Sequence, residues 1–561
     1  MSAVTASASF VARTGRYVRA LLPSPADYRG AARTWRGDLL AGLTVGIVAL
    51  PLALGFGVSA GLSAEAGLVT AIVAGFLAAV FGGSNVQVSG PTGAMVVVLA
   101  PIVATQGAGA VVTVTLMAGV IVLVAGVLGL GRAVSVIPWP VIEGFTLGIA
   151  VIIFLQQVPQ LTSATPVPGH SSNALIAAVQ AVAAADAGYA LWSAGAALIV
   201  AACMLLAPRI HAAIPGSLVG IVLVSVLALI VPNPLTRIGA LPGGLPAPSV
   251  PALDPALLAG LLAPAATVAA LAAVESLLSA RVAASMADTG PLDPDRELVG
   301  QGFASIGSAL FGGMPATGAI ARTAVNVRSG GRSRIAAIFH AVVLLLVVLV
   351  ASGPVGTIPL AALAGVLMVT AVRMVHAHTV RAILRSTRAD ALAFVVTAVI
   401  TVSFDLIVAV IIGVVLAGIV ALRSLSRASS VHREAVAAPQ VPGDERIAIL
   451  RLDGPLFFAA ADRVFEEIRA VTGRLGRRAE DESARTRRRD RRPHARRHGA
   501  GAREQRRDGA HQGVQPRHED LFRTVGVLGA LRHHKHLFDD LPSAIEHARD
   551  HVRRERIAPT P

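Results

Sequence analysis

FGGSNVQVSGPTGA, residues 81–94, and FGGMPATGA, residues 311–319, decide how this chain must be read. Each opens on Phe-Gly-Gly, closes on Thr-Gly-Ala and interrupts otherwise apolar sequence. One lies in each half of a long apolar region. Paired Gly/Pro interruptions at corresponding positions of two halves are the sequence mark of a transporter whose ligand site is built from discontinuous helices.

A second landmark follows in the same order. IPWPVIEG begins at Ile137 and IPLAALAG at Ile358, each with a Gly six residues after its Pro. Two ordered landmarks indicate a duplication, with one repeat over 38–232 and the other over 258–424. The Pro- and Gly-rich stretch from Pro232 to Pro255 suits the linker between them. About seven apolar segments can be counted in each half. An odd number sends the second half into the membrane from the opposite side, which makes the repeat inverted.

Composition sets the class. The chain has 561 residues, 54% of them hydrophobic, with a mean hydropathy of +0.68. Apolar runs recur from Leu39 to Leu422, and a spanning helix needs about 20 such residues. A polytopic α-helical membrane protein is predicted, with its membrane domain over 38–430. The formal charge of +15 does not indicate a nucleic-acid partner, because the arginines crowd the two ends. Arg13, Arg16, Arg19, Arg29, Arg33 and Arg36 mark residues 1–37 as a cytoplasmic arm, and the basic tail puts the other end on the same side. Multi-pass insertion in the cell's inner (plasma) membrane, with an even number of spans and no cleavable signal peptide, follows. Cys203 is the single cysteine, so no disulfide framework is expected. No H-E-x-x-H, Walker A or Cys/His metal spacing occurs in the membrane region. The reading is therefore not an enzyme, not ATP-driven, and without cofactor or metal.

The interruptions carry the chemistry. Asn85 to Ser89 alternates like a strand, and Pro91 suits the first turn of a helix. A half-helix is expected from near Pro91, and its counterpart from about Ala319. A helix that starts inside the membrane exposes unpaired N–H groups and about half a positive charge. Two such ends make an anion site without any lysine. Ser89, Gly90, Thr92, Gly93, Thr317, Gly318, Ala319 and Arg322 are the candidate anion-binding residues. The glycines would let a ligand approach the backbone, and the threonines would add hydroxyl donors. The alternative is that the glycines only allow close helix packing.

Glu275, in PAATVAALAAVESLLSARV, is an ionisable residue within an apolar segment, and Ser279 shares its helix face. The pair is the candidate coupling-ion site. The competing reading is a structural carboxylate paired with Arg322 or Arg281. Arg322 either attracts the anion or neutralises Glu275. Glu143 is read as interfacial, and Asp405 as marking a turn or helix start. The segment DTGPLDPDRELVGQG, from Asp288 to Gly302, is expected to be a solvent-facing cytoplasmic turn with coupling or packing roles.

These residues resemble the SulP family of anion transporters, also called sulfate permeases. The matching stretches are AGLTVGIVALPLALGFGVSAG from Ala41, the SGPTGA element, VESLLSARVAASM from Val274, RELVGQGFASIGSALFGGMPATGAIARTAVNVRSGG from Arg296 and DLIVAVIIGVVLAG from Asp405. The resemblance implies fourteen membrane segments in two inverted repeats of seven, forming core and gate domains with two half-helices. It implies an anion (sulfate, bicarbonate, chloride or a dicarboxylate) between the third and tenth segments, a homodimer, and a C-terminal α/β STAS domain. Thr92 matches the family's Pro-Thr-Gly threonine and Glu275 its acidic residue. Sodium-coupled bicarbonate relatives tend to carry Asp and Thr where this chain has Glu275 and Ser279, so H+ is favoured over Na+ as coupling ion. Arg322 matches an arginine of other anion-transporting members.

The tail fits only in part. ERIAILRLDGPLFFAAADRVFEEIRAV, from Glu445, reads strand, strand, helix, and the sequence from Gly513 resembles the end of a STAS domain over 440–555. Between them, residues 476–512 contain no Val, Ile, Leu, Met, Phe, Tyr or Trp. A buried parallel strand needs a near-continuous apolar run, so this stretch reads as disordered or translated out of frame. A basic tail for anionic lipid headgroups is the rival. His533, His534 and His536 read as a surface run rather than a metal site.

The leading function is thus a secondary transporter of small inorganic or carboxylate anions, embedded in the lipid bilayer. A nucleobase transporter of the same architecture is the nearest alternative, kept open by Glu275. A membrane-anchored regulator acting through the tail is a more distant one.

Overall fold

Apolar sequence in a bilayer has one local solution for an open chain, the helix, because every backbone polar group must be satisfied within the segment. The computed structural model describes residues 19–132, 139–163, 173–211, 214–251, 255–288 and 290–403 of the membrane unit, with residues 17 and 412. In the C-terminal unit it describes 430–434, 449–453, 511–512, 537–538 and 541–557, with residues 441, 442, 444 and 447. The two compact units divide at Gly418 and Ile419.

The first repeat contains α1 (Ala31–Ser59), α2 (Ala64–Phe81), α3 (Gly93–Gln106), α4 (Ala108–Val127), α5 (Trp139–Thr162), α6 (Ala174–Ala183), α7 (Ala187–Ile210) and α8 (Gly216–Ile230). The second contains α9 (Pro255–Met286), α10 (Pro294–Leu310), α11 (Ile320–Arg328), α12 (Arg334–Gly356), α13 (Leu360–Met374), α14 (Ala377–Leu384) and α15 (Arg388–Ser403). Among the described residues, eight helices are long and apolar enough to cross a membrane. The run that begins at Asp405 lies outside the described residues. α1 starts at Ala31, before the expected boundary at 38, because Gly30 at φ 94 turns the chain into the helix there.

The linker is not a free tether. Ile238 and Gly239 donate to the carbonyls of Ile358 and Gly356, and Leu360 donates to Thr236. It is thereby bound to the turn that opens α13.

The glycines that close the two Ile-Pro landmarks, Gly144 and Gly365, pack in the same manner. A Cβ on Gly144 of α5 would strike the Phe394 carbonyl of α15, and one on Gly365 of α13 would lie 2.9 Å from Ala197 Cα of α7. Each glycine admits one neighbouring helix at backbone distance, as small residues do in membrane interfaces. α4 and α10 touch in the same way. A Cβ on Gly126 would lie 2.7 Å from Val299 N, and one on Gly302 would lie 2.7 Å from Leu123 Cα.

The two interruptions meet. β1 (Ser89–Gly90) pairs antiparallel with β2 (Thr317–Gly318), with Ser89 opposite Gly318 and Gly90 opposite Thr317. Ala319 N donates to Val88 O at 2.9 Å and extends the pairing. Irregular backbone at membrane depth is tolerated only where protein buries it. Residues 86–94 and 313–319 are all buried.

Each loop is fastened by the other repeat. Glu297 of α10 accepts from Gly83 N at 2.8 Å and Ser84 N at 3.1 Å. Thr70, in a π-turn of α2, accepts from Met314 N at 2.8 Å, and Ser308 Oγ donates to Met314 O at 2.7 Å. The Asp288–Gly302 segment therefore departs from the expected solvent-facing turn. From Pro294 it is helix, and Asp295, Arg296 and Glu297 are buried. Each charge has a partner there. Arg296 forks onto Asp27 of the N-terminal arm at 2.9 and 2.7 Å, and Asp295 Oδ1 accepts from Gly131 N.

In the C-terminal unit, β3 (Ser430–Glu434) pairs antiparallel with β4 (Ile449–Asp453). β5 (His511–Gln512) pairs in parallel with β6 (Leu537–Phe538), and α16 (Leu541–Ile557) follows. β3 begins before the expected start at 440, and β5 takes in the last two residues of the 476–512 stretch. The rest of that stretch, and His533, His534 and His536, lie outside the described residues. Arg549 forks onto Asp444 at 2.9 and 2.7 Å.

A candidate anion site between two half-helices

Local sequence explains why both short helices begin where they do. Thr92 is the N-cap of α3 in an extended conformation, and Ala319 is the N-cap of α11. Each start falls within two residues of the expected one. Neither N-cap side chain bonds its own helix. Both helix ends therefore keep the partial positive charge of uncapped amides. The antiparallel pairing of β1 with β2 brings these ends to one place.

Glu275 of α9 reaches into it. Thr92 Oγ1 and Thr317 Oγ1 each lie 2.9 Å from Glu275 Oε2, and 3.1 Å from each other. The threonine hydroxyls are buried while Glu275 is partly exposed. One carboxylate oxygen thus holds both hydroxyl donors of the site.

Arg322 is buried and does not pair with Glu275. Its Nη2 donates to Pro91 O at 2.6 Å, and its Nη1 has no partner. Gly90 has φ 150, a conformation that side chains rarely adopt, and a Cβ there would lie 2.7 Å from Arg322 Nη1. Glycine is required at that position. The competing reading, an ion pair of Glu275 with Arg322 or Arg281, gives way to the threonine pair.

The other glycines serve packing. A Cβ on Gly318 would overlap Gln87 Nε2, and one on Gly93 would overlap Ile153 Cδ1 of α5. The free approach of a ligand at Gly93 and Gly318 is thus not what their missing side chains provide in this conformation. Gly93 is where α5 closes over the start of α3.

Ser89 Oγ accepts from Gln301 Nε2 at 2.7 Å, so its hydroxyl braces the strand. Ser279 turns to Thr323 at 3.4 Å and away from Glu275. Ser276, beside Glu275 in sequence, instead accepts from Gly318 N at 3.0 Å. The sequence reading passed over Ser276, Gln87, Gln301 and Thr323. Thr323 Oγ1 accepts from Val88 N at 3.0 Å and fixes the strand from the α11 side. A polar residue recurring beside Glu275, and Gln residues in glycine-rich apolar sequence, were the available signals. Glu143 of α5 is half-buried, and Asp405 lies outside the described residues.

The sequence matches the sulfate permease family over residues 35–397. It is 36% identical to YvdB of Bacillus subtilis, a protein provisionally named a sulfate transporter, over 76% of this chain and 81% of that one. It is 34% identical to the bicarbonate transporter BicA of Picosynechococcus, over 78% of this chain and 81% of that one. Among solved structures, the transmembrane domain of a cyanobacterial BicA superposes with a TM-score of 0.62 at 34% identity, covering 67% of this chain and 98% of that one. The nucleobase alternative finds no support among these relatives, and they are transporters rather than enzymes. The chain belongs to the sulfate permease family of transmembrane anion transporters.

Proposed function

We propose that the chain is a secondary active transporter of a small inorganic or carboxylate anion, sulfate or bicarbonate in class, with a proton as coupling ion. The observation that carries this reading is the convergence of Thr92, Thr317 and Glu275 Oε2 where two uncapped helix N-termini meet. The hydroxyls and helix-end amides are donors for an oxyanion. The protein's own Glu275 carboxylate meets the same two hydroxyls.

That arrangement suggests the coupling. An ionised Glu275 competes with the anion for the same donors and repels it. Two like charges about 4 Å apart cost roughly 4 kcal/mol at an effective dielectric of 20. A proton on Glu275 removes the repulsion and turns the carboxyl into a donor. Anion and proton then bind together and leave together. The positive charge of Arg322, beside Gly90, makes the site more favourable for an anion. Gly93 against Ile153 marks where the core of half-helices meets the gate helix that moves past it.

The same reading places the protein as a homodimer in the plasma membrane with both termini cytoplasmic. Uptake of labelled sulfate and bicarbonate into proteoliposomes, with imposed proton or sodium gradients, tests it. Wild-type uptake should follow the proton gradient. Glu275→Gln should bind anion yet accumulate it less steeply against a gradient than wild type. Uptake that tracks sodium at fixed pH and ignores a proton gradient would refute proton coupling.

A further inference from the structure

Behind the strand pair lies a histidine that the proposed cycle does not yet use. His340 of α12 is wholly buried, and neither ring nitrogen makes a hydrogen bond. The Ala337 carbonyl, three residues back on the same helix, lies beside the ring without meeting hydrogen-bond geometry. A buried imidazole with both nitrogens idle is costly to keep.

Its surroundings are specific. A Cβ on Gly75 of α2 would lie 3.3 Å from Ser89 O, 3.6 Å from His340 Cε1 and 3.8 Å from His340 Nδ1. The ring and the Ser89 carbonyl of β1 thus both border Gly75. On that same dipeptide, Gly90 faces Arg322 Nη1, the unpartnered end of the guanidinium, with Ala71 of α2 beside it. Two idle buried nitrogen groups flank Ser89–Gly90.

The charges facing His340 can be named element by element. From α11 comes Arg322, which acts on the ring electrostatically. α1 meets this turn of α12 through Gly42 and Gly46, which carry no charge. Asp38 of α1 is committed to Ser333 and Arg332 at the start of α12. On α12 itself, Arg334 donates to the carbonyls of Ala79 and Gly82. α2 presents Ala71 and Gly75, and β1 presents backbone. Among the described residues, the charge that acts on the ring is the Arg322 guanidinium, which itself feels Glu275 of α9.

We propose that His340 is a second proton-binding group of the transport cycle, filled only when an anion is bound. The inference rests on the anion-site reading above. The Arg322 guanidinium stands against Gly90 as a positive charge on this side of the site. An anion at the helix ends offsets that charge, and His340 then takes up a proton onto a free ring nitrogen. Proton and anion affinities are linked and reciprocal. Each proton taken up makes anion affinity change about tenfold per pH unit. Glu275 and His340 would then carry protons on opposite sides of the strand pair.

Isothermal titration of the detergent-purified full chain with sulfate, and separately with chloride, in two buffers of different ionisation enthalpy counts protons taken up per anion bound. At about pH 6, in the histidine range, Glu275→Gln should still take up protons, because His340 remains. His340→Gln should take up fewer than wild type, and its anion affinity should lose about one tenfold step per pH unit of its pH dependence. Glu275→Gln that binds anion with no proton uptake overturns the role of His340, even if no His340 variant folds. So does His340→Gln with the wild-type proton count, as expected of a histidine that only fills space. Absence of binding by either anion to wild type overturns the anion site itself, and the inference with it.

Discussion

Replacing Glu297 by Gln should loosen the loop that positions the first half-helix. The carboxylate is buried and accepts four N–H donors: Gly83 N at 2.8 Å, Ser84 N at 3.1 Å, and the Nε2 atoms of Gln87 and Gln301 at 2.9 Å each. A Gln side chain of the same shape keeps one acceptor oxygen and turns an NH2 group towards the other pair of donors. Bonds to a charged acceptor are worth about 1.5–3 kcal/mol each, so losing two costs about 3–6 kcal/mol. Burying a neutral amide in place of a charge returns part of this, leaving about 2–4 kcal/mol net. In a membrane domain of this size each kcal/mol corresponds to about 2 °C. A drop of about 4–8 °C is expected by intrinsic fluorescence melting in detergent, at one fixed scan rate. Anion affinity should weaken as well, since Gln301 also holds Ser89 on the strand. A variant that melts within about 1 °C of wild type would mean that the carboxylate is already neutral and that the clamp is not ionic.

The N-terminal arm is held by a pH-sensitive tie. The Arg296 hydrogen bonds hold the Asp27 carboxyl down to about 2, against the opposing effect of its burial. An Asp with a depressed folded-state pKa contributes fully above its unfolded value of about 3.9 and loses that contribution as pH falls through about 2. Asp27 is half-buried beside the buried Arg296, and screening on its open side limits the tie to about 1 kcal/mol. The melting difference between wild type and Asp27→Asn should hold steady from about pH 8 to pH 5 and shrink below about pH 4. At the α4–α10 seam, Gly126→Leu would drive a side chain into Val299 N at 2.7 Å and Asp295 O at 2.8 Å. Backbone cannot yield as a side chain can, so a loss of 3 kcal/mol or more is expected, about the upper end for overpacking, read as reduced recovery of monodisperse protein. Wild-type yield and melting would show that the two helices are not in contact there.

Much of the fold was legible because the bilayer leaves few choices. Long apolar runs become helices, and the paired FGG and TGA elements marked where two of them start. Thr92 and Ala319 stand at those starts as the N-caps. The candidate site was legible in its threonines and in Glu275, which the fold brings together and whose chemistry is expensive in apolar sequence. It was not legible in Glu297 or Arg296. Charged residues in a polar segment read as a solvated turn until their partners, Gly83, Ser84 and Asp27, are brought in by the fold. Periodicity also put Ser279 beside Glu275, one turn along α9. Ser276 proved to be the residue that meets Gly318, because β2 crosses α9 at that level. Local spacing carries no information about where a distant strand crosses.

The reciprocal fastening of the two loops has a consequence for how the protein is made. As the chain emerges from the ribosome, α2, β1 and α3 are synthesised long before α10 and β2. Until then the Gly83 and Ser84 amides lack Glu297, and Ser89 and Gly90 lack their partner strand. The first repeat must therefore wait in the membrane with open backbone groups where lipid offers no substitute. Insertion and completion are separate events here: the helices can enter in order, but the candidate site is finished only when the nascent chain has passed Gly318 and folded back on its own beginning.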